Sequence, residues 1–224
     1  MDDKTMQGWM GCWEKNTVPW HRSDVHEALE KYLEILTSSP TAKNKIFVPL
    51  CGKTVDIKWL ADRGNEVVGL EASEIAVKEF FSEQNIDYIT EDVPALKGKL
   101  YRSHDNKIKL YCCDLFLFST EVESGFSGIW DRGSLEAMTP ADQKRYIELM
   151  KTLIHPGIGY LLETPDRDPN KGPPFNVSIE DLEEGFGQGC SAAKLSAVEK
   201  ISSGADLQSM PDMKGMNIFR LTFL

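Results

Sequence analysis

No stretch of about 18 apolar residues occurs anywhere in the 224, so nothing in the chain is expected to span a membrane. Positive charge is scarce as well. There are 25 lysines and arginines against 35 acids, a net charge of −10, with no long basic run. A nucleic-acid partner is therefore not expected. Met1-Asp2-Asp3-Lys4 lacks the basic-then-apolar order of a secretory leader. Five cysteines (Cys12, Cys51, Cys112, Cys113, Cys190) form an odd set without a C-x-x-C pair, which suits reduced thiols in the cytoplasm. Four scattered histidines and no H-E-x-x-H make a metal site unexpected. What is present, 41% hydrophobic and 27% charged residues, suffices for one globular α/β domain over residues 1–224, expected to be a monomer.

Apolar periodicity outlines the elements. Residues 1–22 are aromatic-rich, with Trp9, Trp13 and Trp20. Val25, Ala28, Leu29, Tyr32, Leu33 and Leu36 have helical spacing. Asp24 with Glu27 three residues on suggests a capping box, and Ser38-Ser39-Pro40 a stop. Ile46–Leu50 and Glu66–Leu70 read as buried strands around a helix over Thr54–Arg63 that Gly64 ends. Ser73 caps a following helix. Lys99–Ser103 and Lys107–Cys113 alternate around His104-Asp105-Asn106, which predicts a hairpin. Gly128–Asp131 is a strand, Thr139-Pro140 opens a helix to about Ile154, and Gly159–Glu163 is a strand. Ser178 and Asp181 open a short helix through Phe186. Lys194–Ile201 and Ile218–Phe223 close the chain as strands, with 166–174 and 202–215 as loops. Alternating strands and helices predict a mostly parallel, Rossmann-like sheet with helices on both faces and an antiparallel C-terminal edge.

The first strand–turn–helix contains Cys51-Gly52-Lys53-Thr54, part of a phosphate-loop signature. The full motif needs a glycine five positions before Gly52, where Phe47 stands inside the strand. G-x-G-x-x-G is also absent. Glu71 ends the second strand, 19 positions after Gly52, where doubly wound sheets place an acid for ribose hydroxyls. Asp114 ends a further strand, where a carboxylate can accept from an adenine amino group. One glycine and two such acids suit a nucleoside without phosphates, of which S-adenosylmethionine is the commonest cofactor. Taken singly, each acid also reads as a solvated strand end.

Several segments together resemble the thiopurine S-methyltransferase family along most of the chain. They are Phe47–Lys53, Trp59 with Ala61–Gly64, Val67–Glu71, Glu79–Phe81, Leu110–Cys113, Ile129–Gly133 and Gly172–Phe175. The resemblance implies a class I methyltransferase fold using S-adenosylmethionine. It implies that residues 1–22, with Trp9, Trp13 and Trp20, cover the cofactor. A lid of indoles suits a sulfonium cation and excludes water; the competing reading is a hydrophobic strap on the core. By the same resemblance Leu50, Glu71, Asp114, Leu115 and Arg132 line the cofactor pocket, with Gly52 and Ala72 beside Glu71, and Trp20 meets the acceptor.

Methyl transfer is an in-line displacement, so alignment is the main requirement. A thiol reacts as its thiolate, and Arg132 at a strand end is the cation expected to favour it. Arg132 also reads as a structural partner of Asp131 or another acid. The family carries a basic, aromatic-containing segment with an arginine before the last strand. Ser202–Asn217 instead holds no arginine and three methionines, Met210, Met213 and Met216. That predicts a softer, less anion-seeking acceptor site. The expected acceptor is a small thiol or related chalcogen compound. Transfer to oxygen or nitrogen, for which Asp131 is the only evident base, and a non-catalytic binder of the cofactor are the alternatives.

Overall fold

The computed structural model describes residues 6–37, 43–187, 193–204 and 213–224. Met1–Lys4, Ser38-Ser39-Pro40, Cys190 and the centre of the 202–217 segment, with Met210, lie outside them.

The described residues form one nine-stranded sheet: β1 (Lys45–Val48), β2 (Glu66–Glu71), β3 (Tyr88–Val93), β4 (Gly98–Ser103), β5 (Ile108–Cys112), β6 (Gly128–Asp131), β7 (Gly159–Arg167), β8 (Leu195–Gly204) and β9 (Met213–Phe223). The order is β3-β4-β5-β2-β1-β6-β7-β9-β8. The five central strands pair in parallel, and the pairings beyond β5 and β7 are antiparallel. The helices are α1 (Met6–Glu14), α2 (Glu27–Leu36), α3 (Asp56–Asp62), α4 (Glu74–Glu83), α5 (Pro140–Leu153) and α6 (Ile179–Gly187).

Strand alternation builds a core on each face. Ile46, Val48, Val67 and Trp130 pack with Leu29, Leu36, Ile57, Leu60, Val77 and Phe80 of α2–α4. Their neighbours Phe47, Val68 and Ile129 pack with Tyr146, Met150, Leu182 and Phe186 of α5 and α6. At the start of β7, a Cβ on Gly159 would run into the Ile35 carbonyl, so α2 lies directly on that strand. Chain order reverses at β1, between β2 and β6, and there the carboxyl ends of the strands open a crevice.

Several boundaries differ from expectation. The cap of α2 is His26, not Asp24: its Nδ1 accepts from Ala28 N at 3.2 Å, while Asp56 Oδ1 holds its own N–H at 3.0 Å. That bond across the fold fixes where the helix can start. β1 stops at Val48 because Pro49 has no N–H and Leu50 takes a left-handed φ of 41°. α3 starts at Asp56 rather than Thr54, and Gly64 ends it with φ 88°. Ser73 and Thr139 cap as expected, accepting from Ala76 N and Asp142 N. β7 runs on through Asp166 and Arg167, which pair with β9, so part of the expected 166–174 loop is strand. The expected 202–215 loop likewise holds the end of β8 and the start of β9. β3 and α1 were not anticipated.

Candidate active site

A cavity of about 900 Å³ occupies the crevice. Its floor is the turn after β1. Gly52 N donates to Glu71 Oε2 at 2.9 Å, and Ser73 N to Oε1 at 2.8 Å. Burial pushes the Glu71 carboxyl upward and these backbone donors pull it back. Each oxygen keeps a lone pair. Lys53 turns away to Glu79 at 2.8 Å and Glu83 at 2.7 Å. Gly-Lys-Thr therefore builds no phosphate cradle: its glycine N–H serves a carboxylate and its lysine an acid pair.

Leu50, Gly52, Glu71, Ala72, Asp114 and Leu115 all line the cavity. The register explains part of this. Glu71 pairs with Cys112, so Ala72 and Asp114 leave adjacent strand ends. Asp114 Oδ1 accepts from Phe116 N at 2.9 Å, opening a short helical turn that buries Leu115.

The aromatic segment crosses the cavity. Trp13 lies over Gly52, where an added Cβ would meet its ring at 3.1 Å; with φ 52° as well, only glycine suits this position. Trp20 meets the rings of Trp9 and Trp13 edge-on at 5.1 and 6.1 Å. Trp9 Nε1 donates to the Ala137 carbonyl at 3.2 Å, and Arg132 donates to the Trp20 carbonyl at 2.9 Å. The segment thus ties the β1 turn to the residues after β6.

At the far end the register pairs Asp131 with Leu162, so Arg132 and Glu163 stand side by side. Glu163 Oε2 is 3.9 Å from Arg132 Nε and 2.6 Å from His26 Nε2. Glu136 is buried, accepts from Gly133 N at 2.9 Å through Oε1, and lines the same wall. Burial first, then the nearby Asp131 and Glu163, push its carboxyl up to about 8. Gly172, Pro173, Pro174, Met213 and Met216 complete this end.

Asp131 departs from its expected catalytic role. Its side chain faces the α5 side, where Oδ2 accepts from Tyr146 at 2.6 Å and Tyr160 at 2.7 Å, and it is not part of the cavity wall. A strand reverses its face at each residue, so Asp131 and Arg132 cannot both point into the crevice. His26, Glu136 and Glu163 were not singled out from sequence. Glu163 carried the same signal as Glu71, an acid at the end of an apolar strand.

A doubly wound sheet with this crevice, an acid at the end of the second strand and an indole cover defines an S-adenosylmethionine-dependent methyltransferase. The chain is similar to N-methyltransferase NodS from Bradyrhizobium japonicum (14% identical, TM-score 0.61, 98% of each chain covered). It is also similar to a TehB-like methyltransferase from Corynebacterium glutamicum (12%, TM-score 0.57, 96% of each). These likenesses show the fold. A family model described as thiopurine S-methyltransferase matches residues 4–214. A probable thiopurine S-methyltransferase of Danio rerio is 44% identical over 85% of this chain and 83% of its own length, and the thiopurine S-methyltransferase of Bos taurus is 40% identical over 87% and 80%. The chain belongs to the thiopurine S-methyltransferase family.

Proposed function

We propose that the cavity holds S-adenosylmethionine against Glu71 and Asp114 and a small thiol, or related chalcogen compound, against Arg132. The observation that carries this is the bridge of three tryptophans from Gly52 to Arg132 and Ala137, which encloses space for two small molecules. The donor set fits the cofactor. Glu71 offers two oxygens with spare lone pairs to a ribose diol, and Lys53, the cation next to the turn, is taken up by acids. Trp9, Trp13 and Trp20 supply faces and edges suited to a sulfonium. When bound, the cofactor supplies a methyl group on a cationic sulfur.

Arg132 holds Trp20 in place and lends positive charge beside the acceptor. Asp131 is a positioning residue: its tyrosine bonds fix the end of β6, and so Arg132. Met213 and Met216 give the acceptor wall an adaptable apolar surface. Thiopurines themselves are substrates of the relatives by name; for this chain the acceptor class is the broader one. Residues 1–224 act as one unit with 1–22 as cover, and a monomer suffices because the cavity is built within one chain. The cysteines at 51, 112 and 113 are free, which favours the cytoplasm. Among the described residues no helix is long and apolar enough to cross a membrane. A net charge of −10 argues against nucleic acid. Labelled S-adenosylmethionine offered with a panel of thiols, phenols, amines and halides tests the reading. Label should pass to thiols, and transfer to none of them would overturn it.

A further inference from the structure

We infer that Glu163 is the proton acceptor for the incoming thiol, so that the cavity serves aliphatic thiols that arrive with their proton. The inference rests on the thiol-methyltransferase reading above. Arg132 alone does not make this wall an anion site, because a carboxylate lies 3.9 Å from its Nε. Glu136, with its carboxyl pushed up to about 8, keeps its proton at neutral pH and adds no charge. His26 spends Nδ1 accepting from Ala28 N, so its proton sits on Nε2, 2.6 Å from Glu163. Through that contact it can orient Glu163. Asp56 has both oxygens engaged, by His26 N at 3.0 Å and Trp130 Nε1 at 2.9 Å. Asp131 faces the other side of the sheet. Of the acids at this wall Glu163 remains: it lines the cavity, and its Oε2, 2.6 Å from His26 Nε2, makes no aligned hydrogen bond among the described residues. His21, which also lines the cavity and is pushed toward its neutral form by burial and Lys53, is the rival base that the Glu163→Gln test separates from it.

The charges facing the thiol at this wall, Arg132 and Glu163, therefore cancel. An alkyl thiol near its solution pKa of about 8.5 stays mostly protonated at neutral pH. The step balances with Glu163 as base. The S–H bond breaks toward the carboxylate as the new sulfur–methyl bond forms. The old methyl–sulfonium bond breaks, its electron pair returning to that sulfur. A cation and a carboxylate become two neutral sulfur compounds and one carboxylic acid.

The test compares two thiols in the Glu163→Gln variant. One is an alkyl thiol; the other is an aryl thiol already ionised at the assay pH. General-base assistance is worth about 100-fold or more, so the alkyl rate should fall by that amount and the aryl rate by less than about threefold. The variant's alkyl rate should climb about tenfold per pH unit up to the thiol's own pKa, while the wild type changes less. Calorimetry with S-adenosylhomocysteine should show unchanged affinity. If the glutamine variant does not bind it, Glu163→Asp carries the same alkyl-to-aryl comparison. Equal losses for both thiols, or an unaltered pH profile, overturn the inference and leave the functional reading standing. A wild type that methylates no thiol overturns that reading and the inference with it.

Discussion

The two ends of the cavity are held by opposite means. At the Glu71 end the backbone does the work: Gly52 and Ser73 occupy the carboxylate, and Lys53 and Asp114 have partners of their own. At the Arg132 end, Arg132 Nε and Glu163 Oε2 meet only as ion pairs, 3.9 Å from each other and 2.6 Å from Glu163 to His26, and Glu136 Oε2 is buried without an aligned hydrogen bond among the described residues. A buried polar group left so costs about 1–3 kcal/mol. The first end is therefore preorganised, as the proposed cofactor site requires. The second holds desolvated groups at a cost in stability, as expected where a variable ligand must be met.

The largest effect should come from removing that cost. Glu136 carries a carboxyl raised to about 8 in the fold against about 4.5 when unfolded. The native state therefore keeps a proton that the unfolded chain releases, and its contribution to stability is lost as pH rises from about 4.5 through 8. Glu136→Gln has no such proton. At about 1.36 kcal/mol per unit, the variant should gain about 3–5 kcal/mol on the wild type between pH 5 and pH 9. Urea unfolding at both pH values measures this, and a constant difference would break the contrast between the two ends.

Glu71→Ala should weaken S-adenosylhomocysteine binding by about 1.5–3 kcal/mol in calorimetry on folded protein, while leaving the order of preferred acceptors unchanged. Altered acceptor preference would show that the ends are not independent. Arg132→Ala removes the Trp20 anchor and, on the proposed reading, the cation beside the acceptor. Turnover should drop about tenfold and the pH optimum should move upward, because a thiolate loses its nearest cation. Arg132→Lys should recover only part, lacking the planar fork. The smallest effect is expected in the cover. Amides of residues 6–20 should gain about 1 kcal/mol of hydrogen-exchange protection with S-adenosylhomocysteine. Equal protection in both states would make the segment a strap on the core.

How far the sequence was legible follows the same division. The central strands read as continuous apolar runs because both faces of the sheet are buried, and the helices over them carried the helical period. β3 carried none: Tyr88 to Val93 is largely exposed at the sheet edge, with polar residues on both faces. The cap at His26 depends on Asp56, thirty positions away, which no local pattern reports. That Glu71 and Asp114 line the cavity was legible because it follows from topology, an acid at a known strand end. Asp131 was misjudged for want of the face, which one residue of register decides. His26, Glu136 and Glu163 come from three separate segments, and their meeting depends on the β6–β7 register and on where α2 begins.

On the proposed reading the Arg132 end is built for sulfur. The most direct measurement of this uses one carbon skeleton bearing a thiol, a hydroxyl or an amine, offered to the wild type with labelled S-adenosylmethionine at neutral pH. An alkyl thiol near about 8.5 is far closer to ionisation than the alcohol on the same skeleton, and its sulfur is the softer nucleophile, so kcat/KM should favour the thiol by about tenfold or more over either other acceptor. A hydroxyl or amine that outpaced the matched thiol would rule out an acceptor end built for sulfur.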